Sequence, residues 1–312
     1  ALCFIGYPFL YLVRNSLTDE NGAITLAATA RIVLFIMYSF HLTIIQLITI
    51  NEKGLIDERQ LYAATNPSVV LISIMCVNNE VGTIQPVEFA KRAAVHAGAS
   101  NALIHCDAVQ AFGKIQLKPY NMGVDLMSIS SHKIHGPKGV GALYVRKGVR
   151  LKPYVLGGGQ EGGMRSGTEN TVSISAFAAS ATDLSEHFGE NCARVEEIRA
   201  FLEESLREKC PEIKINRPAG EYLPNICSIV VPGVRSETML NFLSAREVYV
   251  SAGSACAANS KKKSRALEAF GLSPADADST LRVSLSYMNT KEDIDALTDG
   301  LKDGMASLQK KR

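Results

Sequence analysis

The sequence lacks an excess of either charge: 33 Lys and Arg stand against 31 Asp and Glu, a formal net charge of +2. That balance gives no reason to expect nucleic acid or an acidic membrane surface as a partner. The seven cysteines are odd in number, scattered, and contain no C-x-x-C pair. This argues against a disulfide framework or a closed zinc site and fits a reducing compartment, so the expected location is cytoplasmic, or an organellar matrix in a eukaryote. Internal repeats, low-complexity tracts and long linkers are also missing. Charge disappears altogether from residues 32–50, IVLFIMYSFHLTIIQLITI, which hold no Asp, Glu, Lys or Arg. That length falls within the ~17–25 apolar residues able to span a bilayer. The preceding ALCFIGYPFLYLV is apolar too, so an anchor is one reading. Ser39, His41, Thr43, Gln46 and Thr49 interrupt the run, and its β-branched end, HLTIIQLITI, reads as a buried strand. The soluble reading is the expectation.

From residue 51 onward strands alternate with helices. VVLISIMCV (69–77), ALIHC (102–106), VDLMSIS (124–130) and GALYV (141–145) read as strands. A helix is expected around 58–64, and another after Pro86, closing near Gly98. The order implies an α/β fold with a mostly parallel sheet covered by helices. Beyond about residue 185, Val195, Ile198, Leu202 and Leu206 recur at helical spacing, and Ile294, Leu297, Leu301 and Leu308 mark a last helix. Strands are expected at 226–231, 247–250 and 281–285, giving a smaller α+β domain. The expected division is 1–50 (an atypical apolar segment), 51–185 (large domain) and 186–312 (small domain).

The most informative run is SSHKIHGPKG (130–139). A lysine set among small residues and phosphate-binding groups is what an enzyme needs to hold pyridoxal 5'-phosphate as a Schiff base. Lys133 follows one strand and Asp107 ends another, so both belong at the C-terminal edge of the sheet, where open α/β sheets bind ligands. Asp107 suits a pyridine nitrogen, or a helix N-cap. Gln110 suits the phenolic oxygen of the ring, or is a polar loop residue. Lys138 rivals Lys133, although the Gly136–Pro137 turn aims it elsewhere. Ser130 and His132 offer a hydroxyl and an imidazole to phosphate oxygens. His96, His105 and His135 read as ordinary structural histidines. The glycine-rich GGGQEGGMRSGTEN (157–170) lets backbone approach a ligand or a neighbouring subunit, and Thr168 offers it a hydroxyl. Cys256, in the small-residue run SAGSACAA (251–258), is either a reactive thiol or a buried structural one. Arg282 suits a substrate carboxylate, or an ordinary ion pair.

From about residue 51 to the C-terminus the chain resembles the cysteine desulfurases of iron–sulfur cluster assembly, of the class V aminotransferase-like group. The motifs are VNNEVG (77–82), HCDAVQAFGK (105–114), SSHKIHGPKGVGALYV (130–145), GGGQEGGMRSGTEN, SAGSACAA and LRVSLS (281–286). The resemblance implies pyridoxal-phosphate transferase fold type I, with an N-terminally incomplete large domain. It implies that Lys133 carries the cofactor, Asp107 and Gln110 hold its ring, and Ser130 and His132 hold its phosphate. Thr168 would reach the phosphate from the second subunit of a homodimer. Asn79, also placed at the cofactor, and Arg282 would fix the carboxylate of L-cysteine. Cys256 would take the sulfur as a persulfide, leaving L-alanine, for an iron–sulfur scaffold or another acceptor protein. It could also be a shared iron–sulfur ligand. The sequence after Cys256, AANSKKKSRALEAFG, looks like the nitrogen-fixation branch. The first fifty residues depart from the family: neither its Ser-Gly-Ala-Thr-Glu type loop nor its Thr-Glu-His motif is there, and His41 lies outside such a context. An abnormal or truncated version of an ordinary desulfurase is therefore expected. The alternatives are a non-catalytic remnant that still dimerises, and a selenocysteine lyase.

Overall fold

The computed structural model describes residues 2–3, 33–39, 42–51, 54–153, 155–253 and 264–308. The chain forms two units. The first comprises Ala1–Thr49, Ile56–Val77 and Gln85–Phe188; the second comprises Ile50–Leu55, Asn78–Ile84 and Gly189–Arg312. A division at 185/186 does not anticipate the two short segments of the N-terminal half that join the second unit. Tertiary contacts place them there, and no local pattern announces it.

The first unit is built on a seven-stranded sheet. Its strands are β1 (Leu2–Cys3), β2 (Val33–Ser39), β3 (Leu42–Ile48), β4 (Val69–Met75), β5 (Leu103–Asp107), β6 (Leu126–Ser130) and β7 (Gly141–Val145), in the order β1-β7-β6-β5-β4-β2-β3. The central β4, β5 and β6 run parallel, with Ile74 opposite Cys106 and Asp107 opposite Ser128. β7 flanks them antiparallel on one side and the β2–β3 hairpin on the other. Within the apolar run, Val33–Ser39 and Leu42–Ile48 are therefore strands of this sheet. Among the described residues no helix is long and apolar enough to cross a membrane.

Helices α1 (Glu58–Ala64), α2 (Glu88–His96) and α3 (Thr171–Glu186) belong to this unit. Asp57 caps α1 by accepting from Gln60 N at 3.1 Å, and Asn170 caps α3 by accepting from Ser173 N at 3.2 Å. The β-branched residues of β4 and β5 supply the core, with Ile72, Ile74 and Ile104 fully buried.

The second unit holds α4 (Phe188–Lys209), α5 (Ser236–Ser244), α6 (Arg265–Ala269), α7 (Pro274–Asp278) and α8 (Lys291–Leu308). Its antiparallel sheet has the order β10 (Thr280–Ser284), β9 (Ile226–Val230), β8 (Lys214–Ile215). Ile198, Leu202, Ile229, Leu243, Leu281 and Leu301 form its fully buried centre. A reciprocal capping box opens α8: Thr290 N donates to Asp293 Oδ2 at 3.0 Å and Asp293 N to Thr290 Oγ1 at 3.4 Å. The strand expected at 247–250 does not form. Glu247 adopts a left-handed φ of 61° and its N–H, like that of Val248, turns back to close α5 on Ser244 O and Leu243 O. Tyr249 is left 78% exposed, and only Ser251 meets β10, opposite Arg282.

Candidate active site

Two groups of candidate residues emerge, one in each unit. In the first, Asp107 ends β5, and Lys133 closes the 3-10 turn Ser131–Lys133 that follows β6. Since β5 and β6 are parallel neighbours, the carboxylate and the amine leave the same sheet edge on adjoining strands. Close backbone packing fixes the lysine turn. Ile134 N and Gly136 N both donate to Ser131 O, at 2.9 and 3.1 Å, while Ser131 N donates to Val140 O at 3.2 Å. A Cβ at Gly136 would fall 2.1 Å from Ser131 Oγ, and one at Gly141 2.6 Å from Ile129 O. Glycine is required at both positions for the turn to close on β6.

Ser130 Oγ and His132 Nδ1 lie 2.8 Å apart, on either side of the buried Ser131. Burial, with Lys133, Lys138 and Lys114 nearby, holds the His132 imidazole below its usual range. Lys114 belongs to the same cationic cluster: burial first, and then the Lys133 charge, pull its amine down to about 8. Asp107 is shifted the other way. Burial raises its carboxyl, opposed by one backbone donor, Val109 N at 3.0 Å. Gln110 lies in the turn just after Asp107 and is half-buried, while Thr168 is exposed in the glycine-rich loop, its carbonyl accepting from Arg165 Nη1 at 3.3 Å.

These residues suit pyridoxal phosphate. A desolvated carboxylate is stabilised by a cation, and crowded cations by an anion. A protonated pyridine ring bearing a phosphate supplies one of each. The residues that would hold it are Asp107, Gln110, Ser130, His132 and Lys133.

His105, read as an ordinary structural histidine, is one. It lies two residues before Asp107 on β5, hence on the same sheet face, and is buried between two hydroxyls. Its Nδ1 is 2.7 Å from Ser73 Oγ on β4, and its Nε2 2.8 Å from Ser128 Oγ on β6. Burial drives its pKa down to about 4, so the ring is neutral, donating through one nitrogen and accepting through the other. The period of two from Asp107 is the one signal in the sequence, and the partners become visible only with the sheet register.

The second group surrounds the VNNEVG turn. Asn78 Oδ1 accepts from Glu80 N at 2.9 Å and Val81 N at 3.0 Å, folding the turn on itself. Arg282 on β10 donates through Nη1 to Asn79 O at 2.9 Å. Asn79 Oδ1 is buried with no hydrogen-bond partner among the described residues. An acceptor kept dry in this way suits a bound ligand's N–H or O–H. Cys256 and His41 lie outside the described residues.

The family model for aminotransferase class-V matches residues 29–297, starting earlier than the resemblance read from the motifs. The chain is 36% identical over 254 residues to the cysteine desulfurase IscS of Clostridium botulinum, covering 81% of this chain and 63% of that protein. It is 37% identical over 267 residues to a cysteine desulfurase of Gluconacetobacter diazotrophicus, covering 86% of this chain and 66% of that one. The chain thus spans less than two thirds of the length of these relatives. Among solved structures, a NifS-like protein superposes with a TM-score of 0.76 at 35% identity, covering 84% of this chain and 68% of the other. A NifS-like protein from Rickettsia africae gives 0.73 at 31% identity, covering 82% and 68%. With residues 29–297 matched by the family model, the chain belongs to the class-V aminotransferase family.

Proposed function

We propose that this chain is a pyridoxal-phosphate-dependent cysteine desulfurase, converting L-cysteine to L-alanine and passing the sulfur to Cys256. The carrying observation is the departure of Asp107 and Lys133 from adjoining parallel strands at one sheet edge, beside a cluster of cations. The cofactor, when bound, supplies an electron sink that weakens the Cβ–Sγ bond of the substrate. Lys133 holds it and offers an amine for proton movement. Asp107 keeps a proton on the ring nitrogen, Gln110 orients the ring oxygen, and Ser130 with His132 binds the phosphate. Arg282 and the side-chain amide N–H of Asn79 take the substrate carboxylate.

Cys256 attacks the substrate sulfur. An S–S bond forms as the Cβ–Sγ bond breaks, the carbon gains the proton, and the products are alanine and a Cys256 persulfide. The persulfide then passes to an acceptor protein of iron–sulfur assembly. The desulfurase names of relatives at 36–37% identity support this reading. Sulfide release from cysteine, with reductant and added pyridoxal phosphate, tests it; Lys133→Ala should abolish the release.

The active form is a homodimer in which Thr168 serves the neighbouring subunit. α3 supports this: of its 16 residues only Phe177 and Leu184 are buried, while Val172 is 80% exposed and Leu156, in the preceding loop, 81%. A non-catalytic chain that dimerises with a complete desulfurase is the second reading. It is favoured by the lack of the Thr-Glu-His and Ser-Gly-Ala-Thr-Glu type motifs in the first fifty residues. Co-purification of differently tagged chains separates the two: association with a complete desulfurase, without sulfide release, selects the second.

A further inference from the structure

Glu80 has no part in the scheme above, yet its carboxylate is 1% exposed. Burying a carboxylate is costly unless it is hydrogen-bonded, so a buried Glu on a short turn calls for a physical reason. The turn itself is rigid. Asn78 N donates to Thr83 O at 2.9 Å, Gly82 N to Asn78 O at 3.0 Å, and Gly82 adopts a φ of +81° that favours glycine. The Glu80 side chain is thereby aimed at a residue 184 positions away: Ser264 Oγ donates to Glu80 Oε2 at 2.6 Å. The same hydroxyl accepts from Leu267 N at 3.2 Å, capping α6. Ser264 is thus held from both sides. A Cβ built on Gly253 would lie 3.7 Å from that same Oε2, so the backbone at Gly253 runs near the carboxylate.

Gly253 and Ser264 bracket residues 254–263, the stretch that contains Cys256. Upstream, Ser251 and Arg282 exchange backbone hydrogen bonds of 3.1 and 2.7 Å, and Arg282 Nη1 reaches Asn79 O. The bonds run from Ser251 through Arg282 to Asn79, and from its neighbour Glu80 to Ser264. Both flanks of the Cys256 stretch are therefore tied to one turn, the turn that carries Asn79.

We propose that Glu80 is a positioning residue: its carboxylate holds Ser264, one flank of the stretch that bears the sulfur-accepting thiol, while the turn it stands on holds the other flank through Asn79 and Arg282. The inference rests on the desulfurase reading for its purpose, though the anchor itself does not depend on it. The physical effect is preorganisation. Cys256 follows Gly253 by three residues in sequence, so the placement of Gly253 limits the volume its thiol can search.

The test uses the full chain with Glu80→Ala, Ser264→Ala and Glu80→Gln. Two readouts need no turnover: the rate of tryptic cleavage at Lys261, Lys262 and Lys263, and the rate of Cys256 alkylation by iodoacetamide, each followed by peptide mass spectrometry. Loss of the charge-assisted hydrogen bond should raise cleavage at least about fivefold in Ser264→Ala and Glu80→Ala, and alter alkylation by a similar factor. Glu80→Gln keeps an acceptor oxygen and should stay within about twofold of the parent chain. The double alanine variant should be no faster than Ser264→Ala, which already removes the shared bond together with the cap of α6. If Glu80→Ala fails to fold, Ser264→Ala decides alone, since a hydroxyl is all it removes. Parent-like cleavage and alkylation in folded Ser264→Ala overturn the proposal. Should these rates respond while no variant, nor the parent, releases sulfide from cysteine, the anchor stands and the desulfurase reading fails.

Discussion

His105 Nε2 lies 2.8 Å from Ser128 Oγ, across the parallel pair of strands that carry Asp107 and lead to Lys133. With Ser73 Oγ on its other nitrogen, the imidazole bridges three strands directly beneath the sheet edge where the candidate site is built. Its pKa, held down to about 4 by burial, makes the bridge sensitive to acid. In the unfolded chain a histidine takes its proton near pH 6.5. Between pH 6.5 and 4 unfolding therefore takes up a proton that the folded chain refuses. Stability is fully present above pH 6.5 and declines as pH falls toward 4. At pH 5 the loss from this residue is about 2 kcal/mol relative to pH 7.5. Denaturant titrations at the two pH values should show that His105→Asn, which cannot take up the proton, is less acid-sensitive by about that amount.

Lys114 makes a prediction of opposite sign for folding and for binding. Its amine, lowered to about 8 by burial and by Lys133, is held charged at neutral pH against an ordinary value of 10.5. Unfolding thus takes up protons between pH 8 and 10.5, and the penalty is complete below pH 8 and relieved above it. Lys114→Met should stabilise the cofactor-free chain at pH 7, by up to about 3 kcal/mol. The same change should weaken pyridoxal phosphate binding about tenfold, because one charge of the cationic cluster beside Lys133 and His132 is lost. Thermal denaturation without cofactor and an absorbance titration with it measure the two effects.

Asp107→Asn replaces the buried carboxylate by an amide of the same shape. The amide oxygen can still accept from Val109 N, so the fold should persist. A neutral amide cannot hold a proton on the ring nitrogen. Sulfide release should fall at least about a hundredfold while the visible absorbance of the bound cofactor persists.

Cys256→Ser and Lys133→Ala should part company. The serine variant should bind cofactor as the parent does and form no protein persulfide; the lysine variant should lose the visible absorbance itself. Alkylation followed by mass spectrometry of the Cys256 peptide reads the first effect, and a spectrum the second.

The lysine turn and its strand were legible because each signal was local. VDLMSIS reads as a strand by its apolar, β-branched run, and the Gly-Pro turn after Lys133 ends it. The Asp107 position followed from the same reasoning one strand earlier. His105 was legible as a structural histidine but its partners were not, since a sheet register brings Ser73 and Ser128 beside it. Glu80 was hidden for the same reason, its partner Ser264 being distant in sequence. The strand expected at 247–250 failed for the opposite cause. Its β-branched residues follow a helix end, and closing α5 took the backbone groups that a strand would have needed.

The most direct measurement is the absorption spectrum of the purified chain with added pyridoxal phosphate, followed by borohydride reduction and peptide mapping. The account predicts a visible band that cysteine perturbs, and a reduced cofactor adduct on the peptide containing Lys133. A colourless protein after mixing, or an adduct on Lys114 or Lys138 with Lys133 unmodified, would contradict it.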